Sequence, residues 1–212
     1  MDLLIIDDHE VVRAGVKNVL LDTYKNATIY EAYDEKSALE LIKHKQHDLI
    51  IMDVQMPQTD TFGLLNFIKL KYPSSRVLVF SMGNENIYAK RFIKSGAMGF
   101  VSKSAGLTEL LRAVDMVMNG RKYISDHFAE LLANQVSDDV QPSQFDVLSK
   151  REFEVATLLM KNKSINEIAE ILSINNSTVA SHKARVLEKM GVKNVMELIE
   201  LETSIHNLNP RN

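Results

Sequence analysis

Hydrophobic and polar positions along the first 120 residues alternate between two patterns. Short, mainly apolar runs occupy residues 3–6, 27–30, 49–52, 77–80 and 99–101. Runs of this length without period-two alternation predict strands covered on both faces. Between them, apolar side chains recur at helical spacing: Val11, Val12, Gly15, Val16, Val19 and Leu20, then Ala38, Leu39, Leu41 and Ile42 after an N-cap at Asp34. Residues 64–70, 87–93 and 107–117 supply three more helices. Five strands alternating with five helices predict an α/β unit: a five-stranded parallel, doubly wound sheet with right-handed crossovers.

The pattern changes after Asn119-Gly120. Residues 128–136 predict one further helix, and the polar stretch 137–144, which contains Pro142, reads as a linker. Beyond it the punctuation is helical. Ser149, Ser164 and Asn194 each stand three residues before a glutamate, and Gly191 closes the third helix as a C-cap. Four helices joined by tight turns make an all-α domain with a helix-turn-helix. The expected division is 1–120, a linker with one helix at 121–146, the helical domain at 147–203 and a frayed tail at 204–212.

Composition adjusts this picture only slightly. A chain of 212 residues that is 45% hydrophobic can build two modest cores. With 25% charged residues and a net charge of -3, no global field points to nucleic acid. The lack of cysteine removes thiolate chemistry and zinc-finger ligation. No apolar run is long enough to span a bilayer and no basic n-region opens the chain, so a cytoplasmic protein without a membrane partner is expected.

The candidate chemistry lies at the strand ends. The first predicted strand stops at Asp7-Asp8, the third at Asp53, the fourth at Ser81, and the fifth two residues before Lys103. In a doubly wound sheet these carboxyl ends share one edge. Three carboxylates packed together repel unless a cation joins them, and hard oxygen donors without His or Cys point to Mg2+. Lys103 adds a fixed positive charge and Ser81 a hydroxyl donor, which together suit a phosphoryl group carried on a carboxylate. Taken singly, each of these residues is equally at home as an ordinary loop residue.

Residues 1 to about 119 resemble a response-regulator receiver domain, whose fold is flavodoxin-like. The paired acids Asp7 and Asp8, the stretch Asp53-Val54-Gln55-Met56-Pro57, Ser81, Phe100 within Gly96-Ala97-Met98-Gly99-Phe100, and Lys103 carry the resemblance. It implies that Asp53 accepts a phosphoryl group from a histidine kinase. It further implies that Asp8, Asp53 and the Gln55 backbone carbonyl hold Mg2+, with Asp7 acting through water. Ser81 and Phe100 would then be the switch pair. Three positions depart from the pattern: Ser104 replaces the proline that usually follows the lysine through a cis bond, Met82 replaces a small residue, and Thr61 replaces a glycine. A Thr in place of glycine matters only where the backbone needs φ > 0.

The third helix of the C-terminal domain is the candidate DNA reader. Thr178, Ala180, Ser181, His182, Lys183, Arg185 and Lys189 give it a polar, basic face with small side chains near its start. Such a face suits phosphate anchoring and close approach to base edges in a major groove. A solvated bundle face would look similar, and acidic and basic residues balance in this domain. Residues 147–202 resemble the LuxR-type DNA-binding domain through Leu148-Ser149-Lys150-Arg151-Glu152, Ile168-Ala169, Thr178-Val179, His182 and Lys189-Met190-Gly191-Val192. Ala180 stands where a lysine is common and Asn162 where glycine is usual.

The domain order resembles the NarL/FixJ class of response regulators. That resemblance implies a transcription regulator rather than an enzyme, partnered by a histidine kinase and double-stranded promoter DNA, and a homodimer at least when phosphorylated. Two other classes remain open. A flavodoxin-like sheet can bind FMN, although Asp7-Asp8-His9-Glu10 is acidic where a phosphate-cradling loop offers glycines. A metal-dependent phosphatase also uses strand-end aspartates, but Gln55 stands where a second acid is needed.

Overall fold

The computed structural model describes residues 1–136 and 144–207. The chain divides into two compact units, Met1–Asn134 and Gln135–Asn212. In the first unit, strands β1 (Asp2–Ile6), β2 (Thr28–Ala32), β3 (Leu49–Met52), β4 (Arg76–Ser81) and β5 (Gly99–Ser102) form one sheet in the order β2-β1-β3-β4-β5. Every pairing is parallel, with Ile5 opposite Ile51 and Val79 opposite Phe100. Helices α1 (Glu10–Thr23), α2 (Glu35–His44), α3 (Thr61–Lys71), α4 (Glu85–Lys94) and α5 (Gly106–Met118) connect and follow these strands.

Strand side chains alternate between two faces, both covered in the inner strands and β5, whereas the edge strand β2 leaves Thr28 and Glu31 exposed, so the expectation of a strand covered on both faces fails there. Leu3, Ile5, Leu49, Ile51, Leu78, Phe80 and Val101 join Val16 and Leu20 of α1 and Leu110, Ala113, Val114 and Val117 of α5 in one core. Their neighbours Leu4, Ile6, Ile50, Met52, Val79 and Phe100 are equally buried and point the other way. The rings of Phe62 in α3 and Phe92 in α4 stack at 4.1 Å. Local chemistry starts the helices as the sequence suggests. Asp34 and Ser37 form a capping box on α2, and Asp60 accepts from the Gly63 amide at α3. Thr61 opens α3 and does not have positive φ, so the missing glycine costs nothing there.

A further helix, α6 (Asp126–Val136), follows α5, and the first unit extends past residue 120 to Asn134. Apart from Gln144, the polar stretch 137–144 lies outside the described residues. In the second unit, α7 (Lys150–Met160), α8 (Ile165–Ile171), α9 (Asn176–Met190) and α10 (Val195–Asn207) are all helical. α10 continues through Ser204 to Asn207 where the sequence suggests fraying, and residues 208–212 lie outside the described set. Ser149–Glu152 and Ser164–Glu167 form reciprocal capping boxes, and Asn194 accepts from the Glu197 amide. Gly191 ends α9 at φ 67, and Asn162 holds φ 63 where a glycine is usual, a conformation that Asn tolerates better than most residues.

His47 sits at the amino end of β3, on the opposite edge from the candidate chemistry. It is 1% exposed, its ring lies edge-on to Tyr30, and neither ring nitrogen has a hydrogen-bond partner among the described residues. Burial pushes its pKa down from 6.5; the nearby Asp2 and Asp48 act upward and Lys45 downward. The unfolded chain therefore binds the proton more readily, and stability falls as pH drops below about 6.5. Urea unfolding of the first unit between pH 7.5 and 5 should show this loss, and His47→Phe should flatten it.

Candidate functional site

Four strands deliver their ends to one carboxyl edge. Asp7 follows β1, Asp53 follows β3, Ser81 closes β4, and Lys103 follows β5 in a tight 3-10 turn, Lys103–Ala105. The backbone fixes the acids: the Asp53 amide donates to the Ile6 carbonyl at 2.8 Å, and the Asp7 amide to the Ala32 carbonyl at 3.1 Å. Both carboxylates are 2% exposed.

Lys103 joins them. Its Nζ lies 2.6 Å from Asp53 Oδ2 and 2.7 Å from Asp7 Oδ2. Burial alone would push this ammonium's pKa down, but the Asp53 and Asp7 carboxylates outweigh it and hold the group above the ordinary lysine value. The other Asp53 oxygen, Oδ1, accepts from Ser81 Oγ at 2.6 Å and from the Gln55 amide at 2.8 Å. Ser81 Oγ in turn accepts from the Gly83 amide at 3.3 Å. Asp53 is thus a buried carboxylate gripped at both oxygens.

Asp8 is partly exposed beside this pair. Its Oδ1 is buried without a hydrogen-bond partner among the described residues; the His9 ring nitrogen stands 3.1 Å away but without hydrogen-bond geometry. Asp7, Asp8, His9 and Asp53 each offer a ligand atom, all within 4.8 Å of one another. The sequence pattern suggests an all-oxygen donor set, whereas His9 Nδ1 also stands 3.2 Å from Asp7 Oδ1. That proximity has no periodic signature; only adjacency to Asp8 could have flagged it. Hard carboxylate oxygens with one left unpartnered fit a divalent cation such as Mg2+.

The remaining sequence-picked residues fall as follows. Phe100 is buried in β5, 1% exposed, and Met82 is 55% exposed. Among the described residues no peptide bond is cis, and the bond between Lys103 and Ser104 is trans. Ser102 Oγ receives the Ser104 amide at 3.3 Å and lies 2.7 Å from Ser104 Oγ, which holds the turn without a proline.

In the second unit, α8 and α9 are joined through Ser173, which has φ 52, and the Ile174 amide donates to the Ala169 carbonyl. Val155, Leu158, Leu159, Ile168, Leu172 and Val179 form the core beneath them. Arg151 locks this corner, donating to the Leu172 carbonyl at 2.8 Å and pairing with Glu154 at 2.7 Å. Thr178, Ala180, Ser181 and Arg185 are exposed on α9, and His182 and Lys183 are half-buried. Lys189 behaves differently from the other basic residues of α9: its ammonium pairs with Glu152 Oε2 at 2.7 Å.

A parallel α/β unit with a buried acidic pocket, followed by a helix-turn-helix unit, is the architecture of a two-domain regulator. Residues 3–115 match the response regulator receiver domain family, and residues 146–201 match the bacterial regulatory proteins of the luxR family. Fimbriae Z protein of Salmonella typhimurium is 32% identical over 203 residues, covering 95% of this chain and 96% of that relative. The DNA-binding transcriptional activator EvgA of Escherichia coli is 30% identical over 200 residues, covering 93% and 95%. The two-component response regulator RcsB in its DNA complex is similar in structure, with a TM-score of 0.58 at 25% identity over 97% of this chain and 98% of that one. This chain belongs to the response regulators that couple a receiver domain to a luxR-type DNA-binding domain.

The Lys189–Glu152 pair gives a test of its own. Lys189 holds the Glu152 carboxyl down at about 2, below the ordinary 4.5, with the Ser149 amide assisting. Its contribution is therefore complete above about pH 4.5 and fades as pH falls toward 2. Lys189→Ala should destabilise the second unit by about 1–2 kcal/mol at pH 7 and by less at pH 3, read from denaturant midpoints.

Proposed function

We propose that this protein takes a phosphoryl group on Asp53 from a histidine kinase and thereby controls promoter binding through α9. The observation that carries the reading is the grip on Asp53: Lys103 at one oxygen, Ser81 and the Gln55 amide at the other, inside a buried carboxylate pair. In the transfer, the phosphorus–nitrogen bond of a phosphohistidine breaks, a phosphorus–oxygen bond forms at Asp53, and the histidine nitrogen leaves with its electron pair. Lys103 and Ser81 are placed to meet the oxygens that gain charge. Asp8, Asp53 and the Gln55 carbonyl would hold Mg2+, with Asp7 acting through water. The ion supplies charge neutralisation for the transferring oxygens.

Residues 1–120 act as the receiver and 147–203 as the DNA-binding domain. Thr178, Ala180, Ser181, His182, Lys183 and Arg185 face the duplex, whereas Lys189 serves mainly to hold α9 to α7. Phe100, buried in β5, is the aromatic member of the switch pair with Ser81. The DNA complex of RcsB supports the DNA partner, and pairing two copies on adjacent half-sites multiplies the modest affinity of a single module. We place the protein in the cytoplasm, as a regulator rather than an enzyme; no described helix is long and apolar enough to cross a membrane.

Beryllofluoride with Mg2+, a mimic of the phosphoryl group, should shift the full chain toward a dimer in gel filtration and tighten promoter retention in a mobility assay. Asp53→Asn should keep the fold, by circular dichroism, and lose both responses. An Asp53→Asn protein that still responds would remove Asp53 from the mechanism. Arg185→Ala should weaken DNA retention without altering the beryllofluoride-induced dimer.

A further inference from the structure

The segment leaving α5 returns to the sheet before it becomes α6. The Tyr123 amide donates to the Met98 carbonyl at 2.9 Å, and Tyr123 makes an isolated parallel bridge with Gly99 at the start of β5. The approach is so close that a Cβ on Gly99 would stand 2.8 Å from the Tyr123 carbonyl oxygen. Tyr123 is 2% exposed and its hydroxyl donates to Glu109 of α5. Two residues on, Ser125 does two jobs. Its Oγ accepts the Phe128 amide at 3.0 Å and its carbonyl accepts the Ala129 amide at 2.9 Å, so it caps α6. The same hydroxyl donates to Glu85 Oε2 at 2.8 Å.

Glu85 is the first residue of α4, and it follows directly on the loop that Ser81 anchors. The Gly83 amide rests on Ser81 Oγ, and Asn84 caps α4, receiving the Ile87 and Tyr88 amides on its carbonyl at 3.0 Å each. Three hydrogen bonds and the consecutive backbone of Gly83, Asn84 and Glu85 therefore link Asp53 through Ser81 to Ser125 at the start of α6. A side chain at the first position of α4 needs no partner for helix formation, and an exposed glutamate there would already suit the helix dipole. Glu85 is instead half-buried against a hydroxyl that belongs to another helix's cap.

We propose that Glu85 and Ser125 form a latch that ties the first turn of α6 to the loop contacting the phosphoacceptor, with Gly99 and Tyr123 setting the close approach it requires. Glu85 and Ser125 are positioning residues: they touch neither the phosphoryl group nor DNA. The latch rests on the assignment of Asp53 as the phosphoacceptor for its regulatory role, but not for its existence. Because coupling between two sites is reciprocal, freeing α6 must loosen the start of α4, and loosening α4 must free α6. A change at Asp53 that shifts the Ser81–Gly83 contact then alters how firmly the outgoing chain is held.

Amide hydrogen exchange of the full chain, read residue by residue by NMR, tests this. Glu85→Ala leaves the Ser125 cap chemically intact, yet it should raise exchange at the Phe128 and Ala129 amides by roughly threefold or more. Glu85→Gln, whose amide oxygen can still accept, should restore protection. Ser125→Ala should raise exchange at Ile87 and Tyr88 in α4, which a role confined to capping α6 would not do. Unchanged Phe128 exchange in Glu85→Ala overturns the latch. On addition of beryllofluoride and Mg2+, the wild-type Gly83 and Phe128 amides should respond together, and Glu85→Ala should keep the first response and lose the second. Equal Phe128 responses in both proteins, or a wild-type response at Gly83 alone, also overturn it. Absence of any response at Gly83 would instead count against the phosphoacceptor assignment, and the exchange measured without the mimic still decides the latch.

Discussion

Two buried carboxylates share one ammonium, and the first unit is arranged to make that possible. Asp7 and Asp53 emerge from adjacent strands, both almost wholly removed from water, where their mutual repulsion is weakly screened. Lys103 reaches from β5, at the edge of the sheet, and sits within hydrogen-bond distance of both. A parallel sheet is what allows this: every carboxyl end falls on the same edge, while the apolar side chains of β1, β3, β4 and β5 are buried on both faces, with α1 and α5 packed on one of them. Removing the ammonium would leave two like charges facing each other in a dry site. The same arrangement is poised to accept further negative charge, provided that a divalent cation joins the acids.

The second unit solves a different problem with similar economy. A helix that is to meet a duplex must leave one side polar and uncommitted while its other side is held firmly. Val179, Val186 and Met190 bury the inner side of α9, and Arg151 and the Glu152–Lys189 pair brace the neighbouring turns. The outer residues near its start are small or hydroxylated, which permits close approach. The luxR-family match and the relatives' names agree with that geometry.

Most of the fold was legible in the sequence because it depends on local signals. Short apolar runs mark the strands, Asp34, Ser149 and Ser164 mark helix starts, and the strand-end rule by itself brings Asp7, Asp53, Ser81 and Lys103 together. Contacts between residues far apart in sequence were not legible. Nothing in the spacing shows that Lys189 pairs with a glutamate 37 positions away, or that Ser125 reaches Glu85. Each is set by how two helices or loops meet, which periodicity does not record. The departures from the family pattern also needed coordinates: Thr61 lies in helix, and Ser104 is held by Ser102 in a trans turn, so neither disturbs the site.

Whether Asp53 carries the phosphoryl group is most directly decided by its chemistry. An aspartyl phosphate is an acyl phosphate, and borohydride reduces it to homoserine at the modified position. After incubation with a phosphohistidine donor and Mg2+, peptide mass spectrometry should find homoserine at position 53 in up to one site per chain, and none when Mg2+ is withheld. Homoserine at another aspartate, or an unmodified position 53 in protein that has taken up phosphate, would contradict the assignment.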